Sequence, residues 1–136
     1  MTPRVSSRRQ SLDAAAVRIR MNDASTRLVS AELQLEGASP HEWKHAAEIA
    51  VSAGIAASDA ICGHVLGYKV ASESHSDAVA ALRAASNSAT AKHLDTLLAA
   101  KSAQSYGDRL PTHADAARYV LHAARLVDAA RIAVSR

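Results

Sequence analysis

Val17, Met21, Ala24, Leu28, Ala31 and Leu35 recur at alternating spacings of four and three residues. An α-helix returns side chains to one face with that period, so the stretch from about Ser11 to Glu36 reads as an amphipathic helix. The same rhythm closes the chain in Ala116, Val120, Ala123, Val127, Ala130 and Val134. Alanine dominates the apolar set, and the 136 residues hold no Phe, one Trp and five Gly. A sandwich or barrel needs β-branched and aromatic strands with frequent turns, so this composition selects close-packed helices. The length suits one domain around one core.

Local signals divide the rest. "SPHE" sets Ser39 as an N-cap, Pro40 at the first helical position and Glu42 at the third, a capping box. The helix it opens is expected to run to Leu66. Ala50, Ala53, Gly54, Ala57 and Ser58 are small enough to admit a neighbouring helix, while Gly63 and Gly67 loosen the end. "YKVASES" reads as a connection. Ser74 and Asp77 cap a third element, whose apolar face (Val79, Leu82, Ala85) is interrupted by "SNSAT" and resumes at Leu94, Leu97 and Leu98. It reads as a long helix with a break or loop inside. Gly107, Asp108 and Pro111 mark a turn, after which Thr112 caps the last helix with Asp115 three residues on. The expected fold is all-α: an up-down bundle of four helices, or five if "SNSAT" divides the third. Residues 1–10 are expected to form a flexible basic arm and residues 11–136 the bundle.

A net charge of +3 is too mild to demand nucleic acid as a partner. The one cysteine, Cys62, lies in an apolar run and reads as a buried thiol in a reducing compartment. The basic N-terminus has no apolar stretch behind it, unlike a secretory signal. Ile49 to Leu66 is long and apolar but contains Asp59 and His64, so it reads as a buried helix, not a membrane span. The chain is expected to be cytoplasmic, away from membranes and without a cofactor.

His41, Glu42 and His45 fit the zinc-protease pattern H-E-x-x-H. Such a site needs a third ligand from elsewhere. Asp59 lies about 21 Å further along the same helix than His45, at 1.5 Å per residue, and cannot supply it. Glu42 is already explained as the capping-box acid, so no metal ligand is assigned.

Two basic groupings remain. Arg118, His122 and Arg125 lie at i, i+4 and i+7 on the last helix and are candidates for touching nucleic-acid phosphates. The alternative is a solvated face with an Asp115–Arg118 ion pair. At the last turn, Lys101, Tyr106, Arg109 and His113 crowd into one bundle end. An Arg–His pair there is the kind that holds a phosphate and moves a proton, the chemistry of a ribonuclease. The alternative is a polar loop with a helix cap.

Three stretches carry a family resemblance: "AGIAASDAICGHVLG", "SHSDAVAALRAA" and "LLAAKSAQSYGDRLPTHADAARYVLHAARLVDAA". Together they cover most of the chain from about Ala46, and they resemble the second, third and last helices of HEPN-like helical domains, especially small actinobacterial ones. The resemblance implies a four- or five-helix bundle that pairs as a homodimer. Many members are ribonucleases, often toxins of toxin–antitoxin or phage-defence systems, with Arg, four to six residues, then His near the last turn. Here that region reads Lys101, four residues, Tyr106, while Arg109 and His113 are separated by three. No arginine in the chain has a histidine at the family spacing. The resemblance therefore implies a non-catalytic interaction or RNA-associated module, with an antitoxin or nucleotidyltransferase as candidate protein partner. A metal-independent ribonuclease using the Lys101–His113 turn is the alternative.

Overall fold

The computed structural model describes residues 8–71, 74–103 and 109–136. The chain is all-α, with five helices and one short two-stranded ribbon: β1 (Arg9–Ser11), α1 (Ala14–Leu35), α2 (Pro40–Leu66), β2 (Tyr68–Val70), α3 (His75–Ala85), α4 (Ser88–Ala103) and α5 (His113–Val134). α2 is the central rod and packs against each of the other four helices.

Helix starts follow the local caps. Asp13 opens α1 by accepting from the Ala16 amide at 2.8 Å. Ser39 and Glu42 close a full capping box on α2, the Ser39 hydroxyl accepting from the Glu42 amide and the Glu42 carboxylate from the Ser39 amide. Ser74 accepts from the Asp77 amide and Thr112 from the Asp115 amide, as the spacing predicts.

The third element departs from a single long helix. α3 ends at Ala85, Ser86 leaves helical geometry, and Asn87 restarts the chain by accepting from the Thr90 amide at 2.7 Å. His75 Nε2 lies 2.6 Å from Asp95 Oδ1. A straight helix would hold those residues about 30 Å apart. α3 therefore folds back on α4 as a helical hairpin, with Ser86 and Asn87 of "SNSAT" as its corner.

The ribbon was not expected. Gly67 ends α2 at φ 84°, the left-handed conformation that glycine adopts without penalty, and turns the chain into β2. β2 pairs antiparallel with β1, Arg9 opposite Val70 and Ser11 opposite Tyr68. Arg9 and Gln10, read as part of a free arm, are thus held in a strand, and Arg9 stacks 4.3 Å above the Tyr68 ring. Residues 1–7 lie outside the described residues. The ribbon ties the start of α1 to the end of α2 and presses Leu12 and Val17 onto Gly63. A Cβ on Gly63 would stand 2.8 Å from a Leu12 methyl. Gly63 therefore permits a close contact; it does not loosen the helix.

The core is built on the small face of α2. Ala46, Ala50, Ala53, Gly54 and Ala57 are buried there, and bulk comes from opposite helices in Leu28, Leu82, Leu94, Leu97, Leu126 and Val127. A Cβ on Gly54 would meet Leu97 Cδ1 at 2.5 Å and Leu126 Cδ1 at 3.1 Å. α2 is long and apolar enough to cross a membrane, but most of that surface is buried within the bundle.

Gly54→Val is expected to destabilise the protein by about 1–3 kcal/mol through overpacking against Leu97. Helix propensity alone favours valine over glycine. A raised midpoint in urea unfolding would contradict the close-packing account.

Candidate functional site

The HEWKH stretch is occupied by structural work. Glu42 is held in the capping box, and the Trp43 indole donates to the Gly37 carbonyl at 2.8 Å. His41 is exposed, and His45 makes only a loose 4.0 Å contact with Glu48. Among the described residues, no three His, Cys, Asp or Glu side chains come together as a metal site.

Of the residues read as a ribonuclease site, Lys101, Arg109 and His113 are among the described residues. Tyr106 lies outside the described residues. Lys101, near the end of α4, and Arg109 are both exposed. His113, the first residue of α5, donates from Nε2 to the Leu35 carbonyl at 3.2 Å. Its ring also meets Trp43 edge-on, with centroids 5.4 Å apart. His113 thus pins the start of α5 to the α1–α2 corner. The contacts described for this imidazole are to Leu35 and Trp43, not to Arg109 or Lys101.

The chemistry gathers instead on the seam between α4 and α5. His93 and His122 bring their Nδ1 atoms to 2.9 Å, with ring planes tilted by 52°. Two nitrogens at that distance share one proton, so one ring donates and the other accepts. Both rings are half-buried. Burial, and then the charge of Arg125, lower the His93 pKa. Burial, then His93 and Arg118, lower that of His122. Arg118 and Arg125 are exposed, one turn before and one turn after His122 on α5. Arg118 stacks against Tyr119 at 4.9 Å, and neither arginine has an ion-pair partner among the described residues. The Asp115–Arg118 pair is accordingly not formed. A separate open groove of about 620 Å³ lies where the end of α2, the α3–α4 corner and the last turns of α5 meet, lined by His64, Asn87, Thr90, Ile132 and Arg136. The stripe Arg118, His122 and Arg125 was visible in the sequence. His93 was not, because its partner lies 29 residues away.

A second ionic group lies inside the fold. Asp59 Oδ2 is 3.5 Å from Lys69 Nζ and 3.9 Å from Arg20 Nε. Burial raises its pKa although both cations oppose the shift. Burial, reinforced by Asp59, pushes the Cys62 thiol up to about 11. A thiol protonated so firmly is a poor nucleophile, and Cys62 is packed in the core.

No family model, curated protein or solved structure matches the chain.

The histidine pair sets a pH dependence. Unfolded imidazoles take a proton near pH 6.5, and the folded pair takes it only at lower pH. Between those values the unfolded chain binds more protons, so this contribution to stability is full above about pH 6.5 and is lost as pH falls through the folded values. The urea midpoint is expected to drop between about pH 7.5 and about pH 5.5, and His93→Gln/His122→Gln should flatten that drop. An equal drop in the double variant would show that other groups set it.

Proposed function

We propose that the chain is a HEPN-like helical module that binds RNA along the α4–α5 seam and does not cut it. The observation that carries this reading is the meeting of His93 and His122 between Arg118 and Arg125. Two guanidiniums without carboxylate partners among the described residues are matched to phosphate oxygens, which arginine holds by paired N–H donors. The ring whose Nδ1 accepts carries its own proton on Nε2 and supplies a further N–H donor beside them. The open groove lined by Thr90, three residues before His93 on α4, and by Ile132 and Arg136 at the end of α5 gives a strand room to continue.

Cleavage would need an acid and a base on either side of one phosphate. His113 is committed to the Leu35 carbonyl and Trp43, and no arginine stands at the family spacing from a histidine. Both features favour binding over catalysis. The resemblance further suggests a toxin–antitoxin or phage-defence setting, with an antitoxin or nucleotidyltransferase as protein partner.

Single-stranded RNA in EDTA is expected to bind and remain intact. Arg118→Ala and Arg125→Ala should each weaken binding and lower the slope of log K against log salt by about 0.7. Salt-independent absence of binding would contradict the proposal. RNA cleavage abolished by His113→Ala or Arg109→Ala would replace it with the ribonuclease reading.

A further inference from the structure

The outward face of α1 is unlike that of a solvated helix. Ile19, Val29 and Leu33 are 62%, 54% and 64% exposed, three of the seven large apolar side chains left on the surface among the described residues. They are not scattered. Ile19, Thr26 and Leu33 are seven residues apart, and Ala15, Asn22 and Val29 form a second seven-residue row beside them. All six are exposed, opposite the core seam of Val17, Ala24, Leu28 and Ala31. Paired rows of this period are the seam of a two-helix coiled coil. On α5, by contrast, exposed Leu121 and Ile132 are separated by Arg125 and Asp128 and form no such seam.

We infer that α1 pairs antiparallel with α1 of a second copy of this chain. The occupant is chosen by charge. Arg18 and Glu32 flank the seam near opposite ends of α1, both exposed and without an ion-pair partner among the described residues. A two-fold axis near Ser25 sets Arg18 of each copy beside Glu32 of the other. The same register lays Ile19 on Val29, Leu33 on Ala15 and Asn22 on Thr26. Large thus meets small, and the polar middle layer fixes the alignment. A parallel pairing would set Glu36 against its own copy and align the two helix dipoles. One contact opposes the arrangement: Asp23 approaches its own copy near the axis, with Arg27 one turn on as the nearest compensating charge. The inference does not depend on RNA binding.

The test is the mass of the full chain in solution, by light scattering after gel filtration over a range of concentration. The wild type is expected to approach twice 14.2 kDa. Arg18→Glu should weaken association by roughly tenfold to a hundredfold, because two exposed pairs turn repulsive. Arg18→Glu/Glu32→Arg should restore it. Both reversals suit the helix, whose first turn has no acid and whose last turn has no base, so folding is not at risk. Leu33→Glu should give the monomer with an unchanged helical circular-dichroism spectrum. A wild type that stays at 14.2 kDa throughout, or a double variant no better than Arg18→Glu alone, would overturn the inference.

Discussion

Along its buried face α2 offers its neighbours little more than methyl groups and backbone: of its buried residues only Ile61 and Cys62 are larger than alanine or serine. A face that small contributes little apolar area per residue. It contributes proximity instead, letting α1, α4 and α5 lie close enough for their leucines and valines to reach across the helix. Dispersion contacts at that range are individually weak and collectively large, and a gap of about an ångström forfeits roughly half of each. Gly54 under Leu97 and Leu126, and Gly63 under Leu12 and Val17, are the tightest points of that approach. The remaining elements are placed by what they must bring to it. The ribbon delivers Leu12, and the α3–α4 hairpin delivers Leu82, Leu94 and Leu97.

Features decided within one turn of chain were legible in the sequence. Ser39 with Glu42, Ser74 with Asp77 and Thr112 with Asp115 each depend on a three-residue spacing, and all three formed. The apolar seams of α1 and α5 were legible for the same reason, since period reports the face directly. Leu126 and Tyr119 lie off the simple four-and-three rhythm of α5 and are buried nonetheless, because that helix is covered from more than one side. Features decided between distant residues were not legible. Nothing in "YKV" or "RQS" alone announces a strand, and each becomes one only when the other supplies its hydrogen bonds. The back-fold of α3 onto α4 depends on Ser86 leaving the helix, where "SNSAT" offered both a kink and a loop.

The candidate site follows the same division. Arg118, His122 and Arg125 share a face by periodicity, but their character changes when α4 sets His93 against His122. Two isolated surface imidazoles would titrate independently. Two that share a proton between arginines resist taking a second, and an incoming anion is the partner that relieves that resistance. His113 shows the converse. Its position beside Pro111 and Arg109 suggested chemistry, and its geometry instead serves the junction of α1, α2 and α5. Residue type drew attention to both histidines, and tertiary placement separates them.

Native-state hydrogen exchange addresses the central claim, that close approach around α2 holds the bundle together. If it does, the amides from Ala50 to Ala57 should exchange only through global unfolding and be the slowest in the protein, while the ends of α3 and the β1–β2 ribbon open far more readily. Amides at the middle of α2 exchanging as fast as those of α3 would contradict the account.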